Sequence, residues 1–323
     1  MSQLRERKIP LFDWLRVLLL SGSIFFVLPI QAAISKDSST NSVNSQDSSF
    51  ASATENSDFA GSASTTRSSA LQEKIIAQKK SANNLFGIAL LRPTYILPFY
   101  YTGSPYQISN APDGQKVMSE EFKGQLSFAL PLAEFWQNKV AINVAYTQLS
   151  YWQVYAKSQY FRETDYEPEI FFSYNFKPNW LIDAGLDHQS NGLGGTNERS
   201  WNRAYTNLSF SGKKWLVSIK PWILIFQDSS SAVHNPDITH YLGYSQTTFS
   251  YKLFNNQVAS VALRNVAESG FSRRAEEFTW SIPISKTRLR FYADFFSGYG
   301  QSLIEYNHYT NSAGIGIALN DWI

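Results

Sequence analysis

The sequence contains no cysteine, only 2 methionines in 323 residues, and a formal net charge of just +2. Without cysteine there is no disulfide framework, no thiol nucleophile and no thiolate metal site. Its 28 basic and 26 acidic side chains are scattered, so the electrostatic footprint of a nucleic-acid-binding protein is missing. Beyond residue 33 no apolar run approaches the ~20 residues that a membrane-spanning helix needs. The remainder of the chain is therefore soluble, peripheral, or a barrel that crosses a membrane with strands.

One long apolar run does exist, at the start. Arg5, Arg7, Lys8 and Arg16 lead into an apolar stretch over 17–30, followed by Ala32 and Ala33, small residues suited to a peptidase. Residues 1–33 read as a secretory signal peptide. Residues 34–84 follow as a Ser/Thr-rich leader, which is too poor in large apolar side chains to offset its ordering entropy and is expected to be disordered. Within it, 71–80 has the pattern of a short amphipathic helix. The folded domain is expected over 85–323.

Aromatic residues are plentiful: 18 Tyr, 23 Phe and 9 Trp, 15% of the chain. They fall in segments that alternate with period two over 121–132, 139–152, 166–176, 180–190, 200–211, 214–226, 239–252 and 278–286, with turn signals at 176–179, 211–214 and Asn255-Asn256. In the closing segment 312–323, Ala313, Ile315, Ile317 and Leu319 alternate with Gly314, Gly316, Ala318 and Asn320. Large apolar groups on one face and small or polar ones on the other suit a narrow barrel. A soluble β-sandwich also alternates, but strand length, aromatic content and the signal peptide together favour the membrane. The predicted fold is all-β: a transmembrane antiparallel β-barrel of about twelve strands.

Against that frame, several polar residues fall on the wrong face. Over 181–190, Ile182, Ala184, Leu186, His188 and Ser190 share the apolar face, and Asn202 falls with Ala204, Thr206, Leu208 and Phe210. Gln148 likewise follows Val140, Ile142, Val144 and Tyr146. An unpaired amide or hydroxyl in an apolar medium costs several kcal/mol, so such groups imply mutual hydrogen bonding and a function. A serine hydroxyl attacks only when a base takes its proton, and His188 is placed to do so, with Asn202 able to orient the imidazole. The pair His-x-Ser alone is common; the apolar face and Asn202 are what make it informative. His234, His240 and His308 show no metal-ligand spacing and read as loop or strand-end residues.

The chain resembles the outer-membrane phospholipase A family. The resemblance rests on Tyr146-Thr-Gln148, Phe161-Arg-Glu-Thr164 with Tyr166-Glu-Pro168, His188-Gln-Ser-Asn-Gly192, Arg199-Ser-Trp-Asn-Arg203, Trp215-Leu-Val217 with Lys220-Pro-Trp222, Asn235-Pro-Asp-Ile-Thr239, Ser297-Gly-Tyr-Gly300 and Leu319-Asn-Asp321. It implies a twelve-stranded barrel in the bacterial outer membrane that hydrolyses glycerophospholipid acyl esters, with phospholipase A1, A2 and lysophospholipase activity, as a calcium-bound homodimer. By resemblance Ser190 is the nucleophile, His188 the base, Asn202 the orienting amide and Gly192 the oxyanion donor. The calcium ligands map to the Leu193 carbonyl and position 198 of one monomer and to Ser158 of the other. Position 198 is glutamate here, where the family leads one to expect serine. Gln148 maps to the dimer interface, and Phe161 is a candidate lining residue of the acyl groove. The rival readings are a catalytically inactive structural or pore-forming barrel, which the intact His188, Ser190, Asn202 and Gly192 oppose, and a soluble secreted esterase.

Overall fold

The computed structural model describes residues 68–84, 87–137, 139–227 and 234–323. The expected signal peptide and the leader up to residue 67 lie outside them. The described strands are β1 (Ala89–Leu90), β2 (Tyr95–Thr102), β3 (Glu120–Phe135), β4 (Val140–Trp152), β5 (Phe161–Lys177), β6 (Trp180–Ser190), β7 (Ser200–Ser211), β8 (Trp215–Leu224), β9 (Ser245–Lys252), β10 (Val258–Arg264), β11 (Ala275–Pro283), β12 (Arg290–Tyr299) and β13 (Tyr309–Ala318). The helices are α1 (Ala70–Asn84) and α2 (Ile238–Leu242). Strands β2 to β13 pair with their neighbours in sequence, all antiparallel, and β13 pairs with β2. The sheet is thus a closed twelve-stranded barrel, and the two-residue β1 adds only a short extra pairing to β3.

The pleat sorts residues in the reverse of a water-soluble protein. Ile170, Phe172, Leu186, Leu208 and Ile223 are exposed on the outer wall, while Glu167, Glu169, Asp187 and Arg203 are buried inside. An exposed apolar band of this extent needs hydrocarbon around it, which excludes the sandwich. Inside, charge is matched with charge. Arg203 reaches Asp187 at 2.7 Å and Glu167 at 2.9 Å, Arg92 reaches Glu167 at 2.7 Å and Glu169 at 3.1 Å, and Lys220 reaches Asp187 at 3.3 Å. Desolvated charges persist only when paired and hydrogen-bonded in this way. Where the register of β13 on β2 shifts between Ile315 and Ile317, a side chain at position 316 would put its Cβ 2.0 Å from the Ile96 carbonyl oxygen, so glycine is required.

Short turns close one end of the barrel and longer loops the other. Helix α1 docks at the turn end: Ala70 N donates to Gly212 O (2.9 Å), Ser69 Oγ to Pro178 O (3.1 Å) and Lys74 Nζ to Trp322 O (2.8 Å), while Lys252 pairs with Glu73 at 2.5 Å. The helix expected over 71–80 is present and longer, Ala70–Asn84, so the end of the leader is ordered and the folded body starts before residue 85. No described helix is long and apolar enough to cross a membrane.

Three further expectations shift. The segment 239–252 is not one strand: α2 occupies its first residues, Gly243 turns the chain at φ +70, and β9 begins only at Ser245. The local alternation is outweighed by packing, because Ile238 and Leu242 are buried in the core and Asn265 Nδ2 donates to the carbonyls of His240 and Tyr241. Strand β5 begins at Phe161, five residues before the alternation suggested, and β13 runs from Tyr309 to Ala318 rather than over 312–323. After β13 the chain is tied to Thr94 and Arg92 by the Asn320 amide.

Candidate active site on the barrel exterior

His188 and Ser190 sit near the loop end of β6, and the pleat turns both to the outer wall beside exposed Leu186. In register, His188 lies opposite Asn202 on β7, and Ser190 lies between Tyr166 on β5 and Ser200 on β7. Antiparallel pairing therefore brings together residues fourteen apart in sequence. His188 Nδ1 and Asn202 Oδ1 are 2.7 Å apart. Asn202 Nδ2 donates to the Phe226 carbonyl at 2.9 Å, which fixes the amide with its oxygen toward the imidazole. An acceptor at Nδ1 puts the ring proton there and leaves Nε2 as the basic nitrogen. Ser190 Oγ makes no hydrogen bond to His188, as is common when no substrate draws the two together.

The loop after Ser190 runs from residue 191 to 199. Gly192 has φ +64, and a Cβ there would lie 3.0 Å from the Tyr166 ring, so both conformation and space call for glycine. Asn191, on the opposite face from Ser190, is buried and holds the loop: its Oδ1 accepts from Arg199 N (3.0 Å) and Leu193 N (3.3 Å), and its Nδ2 donates to Asn197 O (2.9 Å) and Glu163 Oε2 (3.4 Å). A second buried amide, Asn235, brackets Ser200 through bonds of 3.2 and 2.9 Å to its N–H and carbonyl. Behind the loop, Arg199 lies over the Tyr306 ring, and burial together with the hydrogen bond to Asp237 keeps the Tyr306 phenol well above its usual range and neutral.

The candidate cation ligands divide into two groups. Leu193 and Glu198 share the 191–199 loop, where the Glu198 carboxylate lies 3.8 Å from His234 Nδ1. Ser158 sits in the β4–β5 loop, its hydroxyl donating to the Asp113 carboxylate and its carbonyl accepting from Gln115 at 2.6 Å. Among the described residues no three His, Asp or Glu side chains converge on a metal position. A carbonyl and a carboxylate on one loop are nevertheless the hard oxygen donors that calcium takes.

Gln148 is opposite Tyr166, which is opposite Ser190, so the three share one rung of the outer wall. Its amide has partners on its own strand: Tyr146 OH donates to Oε1 at 2.9 Å, and Nε2 donates to Ser150 Oγ at 3.1 Å. Phe161, exposed at the start of β5, stacks on Trp152 with ring centroids 5.4 Å apart. The internal cavity beneath, about 430 Å³, is lined by Gln189, Trp201 and Arg203 but not by His188, Ser190 or Asn202, so the wall separates it from the site. Sequence reading missed Asn191, Asn235, Tyr166 and the Phe226 carbonyl. For Asn191 and Tyr166 a signal was available, since both flank Ser190 by adjacency or register.

The Phospholipase A1 family model matches residues 71–319. A putative phospholipase A1 of Neisseria meningitidis is 34% identical over 262 residues, covering 75% of this chain and 68% of that protein. Phospholipase A1 of Salmonella typhimurium is 38% identical over 220 residues, covering 64% and 72%. Among solved structures, the calcium-bound dimer of Salmonella typhi outer membrane phospholipase has a TM-score of 0.68 at 33% identity, covering 77% of this chain and 98% of that one. An active-site mutant of Escherichia coli outer membrane phospholipase A, with asparagine changed to alanine, has a TM-score of 0.69 at 31% identity, covering 78% and 99%.

Proposed function

The chain belongs to the phospholipase A1 family, and we propose that it is a calcium-dependent serine esterase that cleaves acyl esters of glycerophospholipids from the outer wall of an outer-membrane barrel. The observation that carries this reading is the 2.7 Å contact between His188 Nδ1 and Asn202 Oδ1, on a lipid-facing wall and two residues from Ser190. Ser190 Oγ attacks the ester carbonyl carbon while His188 Nε2 takes the hydroxyl proton. The imidazolium then gives that proton to the departing alcohol, leaving the acyl group on Ser190. Water then attacks the acyl carbon as His188 takes its proton, and the imidazolium returns that proton to Ser190 Oγ as the bond from Oγ to the acyl carbon breaks and the fatty acid leaves. Asn202 keeps the ring in the required tautomer but carries no charge, so the developing imidazolium is stabilised less than by a carboxylate.

That shortfall places more weight on the oxyanion. Gly192 N–H is the protein donor assigned to it, and removal of a single donor of this kind costs about 10²–10³ in kcat. Leu193 through its carbonyl, Glu198 through its carboxylate and Ser158 of a second copy are the residues that would hold calcium. When bound, calcium supplies positive charge for the oxyanion, directly or through bound water. The structure of the Salmonella typhi relative, a dimer with bound calcium, supports both the metal and the second copy. The asparagine-to-alanine active-site mutant of the E. coli relative supports the presence of an asparagine in such a site. The scope proposed from the family resemblance is ester cleavage at the A1 and A2 positions and on lysophospholipid.

The test is fatty-acid release from phospholipid micelles by detergent-refolded protein, with calcium and with chelator, alongside Ser190→Ala. Calcium-dependent release that the substitution abolishes is the expected result. No release from a folded, calcium-loaded dimer would leave a structural barrel with an inert site.

A further inference from the structure

Resting on that esterase reading, we infer that Asn191 is a positioning residue: its buried amide sets the path of the loop that carries the oxyanion donor Gly192 and the calcium ligands Leu193 and Glu198. The strand pleat explains why it falls there. Ser190 faces the lipid, so the next residue faces the interior, where Asn191 is only 3% exposed. From that hidden side it ties both ends of the loop. Its backbone N–H donates to Arg199 O at 3.1 Å, and its side-chain oxygen accepts from Arg199 N at 3.0 Å and from Leu193 N at 3.3 Å. Its Nδ2 holds the middle of the loop through Asn197 O at 2.9 Å.

The amide is itself anchored. Nδ2 also donates to Glu163 Oε2 at 3.4 Å, and Glu163 Oε1 accepts from Ile304 N at 2.9 Å, in the β12–β13 loop folded into the barrel. Ile304 is fully buried and its neighbour Leu303 N donates to Asp165 at 3.1 Å, so this inner loop is a rigid support. Every polar valence of the Asn191 amide is thereby occupied, two bonds in and two out. Only a carboxamide offers two acceptor sites and two donors, and glutamine would carry that group one methylene further from the backbone. Alanine at 191 would leave the N–H groups of Leu193 and Arg199 and the Asn197 carbonyl without their partner, and the loop would rearrange to recover them. A displacement of about 1 Å at the oxyanion donor is enough to cost about 10²-fold in rate.

The experiment compares wild type, Asn191→Ala and Asn191→Asp, each checked for heat-modifiable gel mobility as the sign of a folded barrel. Two readouts are taken: kcat and KM on phospholipid micelles at saturating calcium, and calorimetric calcium titration of the protein without substrate. For Asn191→Ala we expect kcat to fall about 10²-fold with KM little changed, and calcium affinity to fall about tenfold. Asn191→Asp keeps the acceptor for Leu193 and Arg199, and the oxygen that replaces Nδ2 shares one proton with the Glu163 carboxylate 3.4 Å away, so it should recover part of both losses. It also serves where the alanine variant does not fold. A folded variant of either kind with wild-type kcat and calcium affinity overturns the assignment, as do equal losses in the two variants. If wild type itself releases no fatty acid, the esterase reading fails instead, and the calcium titration still decides whether Asn191 shapes the loop.

Discussion

Asn202 presents a test of how far orientation alone supports the catalytic role proposed for His188. Its oxygen faces His188 because Phe226 O claims its amide nitrogen, so tautomer control comes from a loop carbonyl as much as from the side chain. Asn202→Ala is expected to lower kcat about 10²-fold, because the ring is then free to turn. Asn202→Asp should retain more activity than alanine, since a carboxylate also accepts from Nδ1–H, but it loses the Phe226 bond. Steady-state kinetics of the two variants at matched folding check this ordering. Ser190, His188 and Asn202 are legible in the sequence because period two alone puts polar groups on a lipid-facing wall. The Phe226 carbonyl is not, since a backbone group brought in from a loop leaves no mark in the residue pattern. Ser158 shows the same limit: its engagement by Asp113 and Gln115 joins two loops that no periodicity relates.

At the scale of elements, α1 is held by two deeply buried side chains, Ala70 and Leu71, and several polar ties to turns. Leu71 is 1% exposed, and its N–H is received by Ser211 Oγ at 3.2 Å. Leu71→Ala should weaken docking by about 2–5 kcal/mol while the closed sheet stays folded. The expected result is faster tryptic cleavage at Lys74 and Lys79 with unchanged heat-modifiable mobility. Equal protection of the two proteins would show that the polar ties suffice. Burial lowers the Lys74 pKa from 10.5, outweighing the opposing pull of Asp183 and Asp321. The undocked chain therefore binds more protons between the lowered value and 10.5, and protection of α1 should rise as pH rises through that window. The strands were read well where both faces have a clear solvent, as in β6 and β7. The reading failed at α2, where Ile238 and Leu242 turn inward to a core formed by distant residues such as Trp201 and Trp222. For α1 the helix expected over 71–80 is present, but its extent and its docking are not legible, since a polar helix gains its stability from the turns it docks on rather than from its own composition.

The whole molecule is an inverted protein: charge pairs inside, exposed Phe, Leu and Ile outside, and chemistry on the outer wall. That inversion is what makes a polar ladder of Tyr146, Gln148 and Ser150 informative, because these groups face hydrocarbon in a single chain. Gln148 uses one N–H and one oxygen lone pair on its own strand, and the other N–H and lone pair remain for a second copy. Two such amides, related by a twofold axis, would each donate to the other. Because Gln148, Tyr166 and Ser190 share a rung, that axis would lie two strand spacings, about 10 Å, from the nucleophile. A second copy would then wall the space over Tyr166 and bring its own Ser158 loop toward the 191–199 loop, so dimer formation and calcium binding are expected to be coupled. The lack of cysteine makes the test clean. Gln148→Cys carries the only thiol in the protein, so any disulfide-linked dimer must join position 148 to its copy. Under mild oxidation, cross-linking should be efficient with calcium and substrate micelles and much reduced with chelator. The cross-linked form should hydrolyse phospholipid with a specific activity that does not fall on dilution, whereas that of the free chain should fall. An active enzyme that never cross-links at 148 would place the second copy on another face of the barrel, and the calcium ligand assigned to Ser158 would fall with it.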